Sequence, residues 1–186
     1  MENAVPIQVL QKALNKALAA VEGMGHKAVA IGEIAHQTWG AKREPQSIEL
    51  LISSGEAQRE SILGAARGEG LRQPPGGGPL SMCFTDAKTG ATAGVELVEA
   101  ATPFLKEVFK RAQRGSVLQG QMLVATSDDL ILLRAGSTLP ADRESIIELL
   151  RMNAGRIDAP YLKRQAEATG VFDKLKSAWQ EARNQP

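Results

Sequence analysis

The sequence predicts an α+β or α/β core closed by an all-helical end. Three observations carry that class. Short apolar stretches bounded by glycine alternate with segments of helical spacing up to about residue 136. A pair of β-like runs flanks a tight turn at Lys88-Thr89-Gly90, and from Pro140 onward every apolar pattern is helical.

The elements follow in order. Ile7, Leu10, Leu14, Leu18 and Val21 recur at spacings of three and four, which predicts a helix from about Pro6 to Glu22, stopped by Gly23 and Gly25. Lys27 to Ile31 is a short apolar run and predicts a buried strand. A glycine turn at Gly32 and a short helix lead to a second strand, Ser47 to Ile52. After Ser53 and Ser54, which are able to cap, Glu56 to Arg67 reads as helix. Residues 68–79, GEGLRQPPGGGP, are dense in Gly and Pro and predict a mobile surface loop; the GGG lacks the Lys-Ser/Thr that follows in a phosphate-binding P-loop. Leu80 to Asp86 and Ala93 to Glu99 then form the hairpin, Pro103 to Ala112 a helix, and Val117 to Val124 one further strand. The next helix begins at Thr126 or Ser127, with Asp128 and Asp129 in its first turn, where acids suit the helix dipole. Three helices complete the chain, separated by Gly155 and Gly170. The expected division is a core of residues 1–136 and a helical segment, residues 137–186, packed on it.

Composition narrows the function classes. Lys plus Arg number 22 against 21 for Asp plus Glu, so no net field attracts polyanions and the sequence gives no strong nucleic-acid signal. One cysteine, Cys83, and two histidines cannot build a disulfide framework or a Cys/His zinc site. No segment has the length and apolarity of a membrane span, and the first residues lack the pattern of a signal peptide, so a cytoplasmic protein is the expectation.

The stretch Ala30 to Ser53 contains Gly32-Glu33-Ile34-Ala35, then Gly40, then Arg43-Glu44-Pro45-Gln46-Ser47-Ile48-Glu49-Leu50. A second stretch contains Asp129-Leu130-Ile131 and Arg134, followed by Asp142-Arg143-Glu144-Ser145-Ile146. In order and spacing these resemble the minimal nucleotidyltransferase fold, in particular the bacterial abortive-infection and toxin-antitoxin nucleotidyltransferases. Their motifs are G-G-x-A, a glycine, R-x-T-x-D-I-D-L, D-L-I-x-x-K and D-x-E-D-I. Gly32, Ala35, Gly40, Arg43, Ile48 and Leu50 match, whereas the positions that carry chemistry depart. The resemblance covers about Lys27 to Ala182 and implies a nucleotidyltransferase-like mixed sheet flanked by helices, with a C-terminal helical bundle.

It also implies a site. Carboxylates at alternate strand positions share one face and hold paired divalent metals, which bind the triphosphate and stabilise the leaving pyrophosphate. Here the pair would be Ser47 and Glu49, with Glu96 as the third member, so Glu49 and Glu96 are the candidate catalytic and metal-binding residues. Gly32, Glu33, Arg43, Ser47 and Arg134 are the candidate nucleotide-binding residues. A serine contributes no negative charge to a magnesium site, a Glu for Asp moves the oxygens by about one carbon-carbon bond, and Glu33 turns a carboxylate toward a polyanion. Each residue also has a structural alternative. Glu49 and Glu96 also read as solvent-facing positions of half-buried strands, Glu33 as a first-turn acid, and Arg43 and Arg134 as partners of those acids. His26 and His36 suit surface or packing positions, and Trp39, Phe104, Phe109 and Trp179 suit the core.

The expected function is therefore a nucleotidyltransferase-fold protein with a degenerate metal site, acting as a binding or interaction module whose partner is a nucleotide, a cognate toxin or antitoxin, a second copy of itself or a nucleic acid, with nothing in the residues choosing among them. The alternative is a divergent active enzyme that uses magnesium and a nucleoside triphosphate, with Glu33, Glu49 and Glu96 as a rebuilt acidic cluster.

Overall fold

The first helix, α1 (Ile7–Gly23), buries Val9, Leu10, Ala13, Leu14, Ala17, Ala20 and Val21 on one face. Each large apolar side chain so buried stabilises the fold by roughly 1.5–3 kcal/mol. Ile7, expected on the same stripe, falls outside it and is exposed. The structure, a computed structural model, describes residues 4–137 and 140–184.

After α1 come β1 (Ala28–Ile31), α2 (Gly32–Thr38), β2 (Ser47–Ile52), α3 (Arg59–Gly68), β3 (Ser81–Thr85) and β4 (Thr92–Glu99). They are followed by α4 (Pro103–Arg111), β5 (Gln113–Val117), β6 (Gly120–Val124), α5 (Ser127–Gly136), α6 (Pro140–Met152), α7 (Ala159–Ala168) and α8 (Phe172–Asn184). Six strands form one mixed sheet in the order β3-β4-β2-β1-β6-β5. Its central strands are the short apolar runs, and β1 is buried along its whole length, as a strand covered on both faces must be. β1 pairs antiparallel with β2 and parallel with β6, and β2 pairs parallel with β4. α1 packs against β2, β4 and α3, α2 against β1, β2 and β5, and α6, α7 and α8 gather on α5, which packs against α2.

Three expectations are corrected. The segment read as one strand, Val117 to Val124, is the second half of a β5–β6 hairpin whose turn holds Leu118 at φ 52°. A leucine seldom adopts that backbone conformation, so the turn carried no glycine or asparagine signal. Ser53 and Ser54 do not cap the helix that follows. The Ser53 hydroxyl accepts from the Lys27 N–H at 2.8 Å, while Gln58 accepts from the Gly55 N–H at 3.1 Å and starts a 3-10 turn ahead of α3.

The Gly/Pro segment at residues 68–79 lies largely on the surface as expected, but it is tied down rather than free. Leu71 is fully buried, Arg72 exchanges backbone hydrogen bonds of 2.9 and 2.7 Å with Cys83, and the Gly78 N–H donates to the Ser81 hydroxyl. At the β3–β4 turn Asp86 accepts from the backbone N–H groups of Lys88 and Thr89 and pairs with Lys12 of α1. α7 is fastened to α5 by Asp129, which is fully buried and accepts from the Tyr161 hydroxyl at 2.5 Å and the Thr126 hydroxyl at 2.6 Å. Arg111 pairs with Asp128 and Asp129, both at 3.2 Å, and stacks 3.7 Å from the Tyr161 ring centre. The acids read as dipole partners of α5 thus also join α4, α5 and α7.

Candidate functional site

β1 ends in a turn at Gly32, whose φ of 64° a side chain would strain. The β1–β2 register sets Ile31 beside Glu49, and the missing Gly32 side chain leaves room for the Glu49 carboxylate. A Cβ at Gly32 would lie 2.2 Å from Glu49 Oε1. Parallel pairing of β2 with β4 places Glu96 directly beside Glu49 and Gly94 beside Ser47. Since strand side chains alternate, Ser47, Glu49 and Glu96 share one face of the sheet.

Arg134 crosses from α5 to this face. Its Nη2 lies 3.5 Å from Glu49 Oε1 and its Nη1 donates to Asp142 Oδ1 at 2.9 Å. Burial raises the Glu49 carboxyl above its usual range, with Arg134 opposing and the carboxylates of Glu33, Asp142 and Glu96 reinforcing. His36 of α2 sits against the same group. Burial and then Arg134 push its imidazole down to about 4, with Asp142 acting in the opposite direction. His36 Nε2 and Asp142 Oδ2 are buried without a hydrogen-bond partner among the described residues.

The remaining predicted residues take other roles. Glu96 accepts a hydrogen bond from the Ser81 hydroxyl and is thereby tied to the end of the Gly/Pro segment. Glu33 Oε2 accepts from the Gln46 N–H at 2.9 Å and holds the loop before β2. Arg43 is exposed, and among the described residues it has no ion pair; of the two arginines expected to meet the acids, only Arg134 does. A cleft of about 430 Å³ opens beside the cluster, lined by Ile31, Gly32, Glu49, Val98, Leu130, Leu133, Arg134 and Ser137. Gly32, Glu49 and Arg134 therefore meet in one cleft, Ser47 and Glu96 stand on the same sheet face, and Glu33 and Arg43 lie outside the lining.

These residues do not suit a magnesium pair. Ser47 is neutral, the Glu49 oxygen faces a guanidinium, and Glu96 is held by Ser81. Among the described residues no three His, Cys, Asp or Glu side chains converge as metal ligands. The sequence reading overlooked Asp142 as the second partner of Arg134 and His36 as a member of the cluster. The eight-residue interval between Arg134 and Asp142 was the one signal of the first.

No family model and no curated protein matches the chain. Solved structures do. A nucleotidyltransferase-like protein from Paracoccidioides brasiliensis superposes with a TM-score of 0.57 at 9% identity, covering 91% of this chain and 92% of that one. A lincosamide antibiotic adenylyltransferase solved with lincomycin gives 0.52 at 13% identity, covering 81% of this chain and 99% of that one. The antibiotic-resistance factor ANT(2'')-Ia gives 0.53 at 14% identity, covering 93% and 95%. The fold is nucleotidyltransferase-like. In the nucleotidyltransferase-like fold of this chain, the Gly32 turn, the β2 acid and the α5 arginine form one cleft; identity this low speaks to the fold alone. No helix among the described residues is long and apolar enough to cross a membrane.

Proposed function

We propose that this chain is a nucleotidyltransferase-fold protein of the abortive-infection and toxin-antitoxin type whose metal site has been replaced by an ion-pair cluster, and that it acts as a binding or interaction module. The observation that carries the reading is the placement of Arg134 between Glu49 and Asp142. A guanidinium facing the second-position carboxylate occupies the charge that a divalent cation would need, and Ser47 cannot supply the missing one. The module belongs to a reducing cytoplasm, in keeping with the single Cys83, and it meets a cognate protein or a second copy of itself. In this reading residues 1–136 carry the cleft and residues 137–186 are the helical unit packed on it.

One observation favours a second reading. Glu96 stands in register beside Glu49, so two acids and Glu33 remain near the cleft of a divergent enzyme using magnesium and a nucleoside triphosphate. Its acceptor would be an RNA, a protein or a small molecule.

Calorimetric titration with a nonhydrolysable nucleoside triphosphate, with and without magnesium or manganese, separates the two. The module reading expects no metal-dependent binding by the natural chain and a gain of affinity in Ser47→Asp. Metal-dependent binding by the natural chain, with nucleotide transfer lost in Glu49→Ala, would establish the second reading instead.

A further inference from the structure

We infer that the groove between α7 and α8 docks an acidic, amphipathic helical segment of a partner protein. The face of α8 that lines it carries Phe172, Leu175, Lys176, Trp179, Gln180 and Arg183. These follow one another at alternating intervals of three and one, which keeps them on a single helical stripe. The stripe runs about 16 Å along the axis, the length of three helical turns. α7 closes the other side with Ala159, Leu162 and Lys163, leaving an open groove of about 340 Å³.

Its floor and rim differ in chemistry. Leu162 and Leu175 are buried at the bottom, while Phe172 and Trp179 are half-buried and keep ring surface toward the opening. The three charged residues on the lining are all cations, Lys163, Lys176 and Arg183, and no carboxylate lines the groove. That excess is local, because the chain as a whole holds 22 basic and 21 acidic residues. Lys163 has an exposed partner in Glu167 at 3.9 Å, a contact of small worth, and neither Lys176 nor Arg183 is paired among the described residues.

An apolar trough edged only by cations complements a segment with an apolar stripe flanked by Asp or Glu. The length suits a helix presenting anchors at i, i+3, i+4 and i+7. A nucleic acid fits less well, since three cations around a short apolar trough give a phosphate chain little to follow. A small apolar anion would leave much of the elongated stripe uncovered. The groove shares no residue with the Gly32–Glu49–Arg134 cleft. The inference rests on the interaction-module reading for its biological sense and names the partner surface of that module.

The test uses the full chain and a fluorescein-labelled helical peptide of about 16 residues, with Leu and Phe at the anchor positions and Glu on both flanks. Fluorescence anisotropy is read beside a twin peptide carrying Lys for Glu, laurate, and a single-stranded oligonucleotide. The acidic peptide is expected to bind, to weaken with added salt, and to weaken at least about tenfold in the Lys176→Glu/Arg183→Glu variant, whose changes are at exposed positions. Failure of the acidic peptide to bind overturns the inference, as does equal binding of the Lys twin or unchanged binding by the variant. Displacement of the peptide by laurate or the oligonucleotide at lower concentration assigns the groove to that ligand and overturns it too. So does self-association of the natural chain in sedimentation that the variant abolishes. The nucleotide titration on the same preparations stays separate: magnesium-dependent nucleotide transfer would sink the module reading whatever the peptide does.

Discussion

Arg134→Met removes the cation that faces both Glu49 and Asp142 while keeping most of the volume of the side chain. The Arg134 side chain is 17% exposed, Asp142 4% and Glu49 29%. Removing one member of a buried pair costs about 3–5 kcal/mol, because the remaining charge stays in a poorly solvated place. Glu49 has partial access to water and loses less; Asp142 has almost none, and one of its oxygens already lacks a partner among the described residues. The expected loss is therefore at the lower end, about 3 kcal/mol, or a fall of about 6–12 °C in Tm for a chain of this size. Urea and thermal denaturation followed by circular dichroism near neutral pH measure it. Introducing Arg134→Met into an Asp142→Asn background should cost less by about 1–2 kcal/mol, since the buried charge is then already gone. A loss under about 1 kcal/mol, or one indifferent to Asp142, would refute the reasoning. Arg134 would then be a group held ready for a ligand, and its removal would register in nucleotide titration instead of in stability.

Three further outcomes follow from the same geometry. Gly32→Ala should cost about 2 kcal/mol in urea denaturation, most of it from the left-handed backbone at φ 64° and the rest from displacing the Glu49 carboxylate into the neighbouring cleft; a neutral result would contradict the placement of Glu49. His36 is held neutral in the fold with its pKa lowered from 6.5 to about 4, so unfolding takes up a proton between those values and stability falls as pH drops through that window, by up to roughly 3 kcal/mol. His36→Gln should flatten that part of a stability-against-pH series, and an unchanged slope would place the acid sensitivity elsewhere. Glu49→Asp draws the carboxylate back by about 1.5 Å from Arg134 and toward the strand. Combined with Ser47→Asp, it should bind a nonhydrolysable nucleoside triphosphate with magnesium more tightly than Ser47→Asp alone, as calorimetry would show, and equal or weaker binding would count against the metal-site geometry read from β2.

What the sequence made legible was local or periodic. The α1 stripe, the β2 boundaries and the three terminal helices were set by apolar spacing and by glycine, and both could be read along the chain. The shared face of Ser47, Glu49 and Glu96 was legible for the same reason, since a period of two assigns faces once two strands are known to be neighbours. The β5–β6 turn was hidden because Leu118 adopts a conformation for which its identity gives no cue.

Charge partners were hidden for a different reason. A strand pattern fixes the face on which Glu49 emerges but not the helix that later crosses that face, and Arg134 arrives from 85 residues away. Its second partner, Asp142, belongs to the following helix, so the pair is not an i,i+4 contact that helical spacing would predict. In the proposed module reading, the cluster explains why the departures from the resembled motifs hang together. Glu49 has one methylene more than Asp and so reaches over the bare Gly32 turn toward Arg134, where burial raises its pKa and the guanidinium opposes that rise. An arginine so placed opposes a divalent cation, so an acid restored at Ser47 recovers only part of the charge a metal needs. Under that logic Ser47 and Glu49 are one coupled change around a position-134 cation that the resembled motif also carries, and an acid at Ser47 alone leaves the guanidinium still facing Glu49.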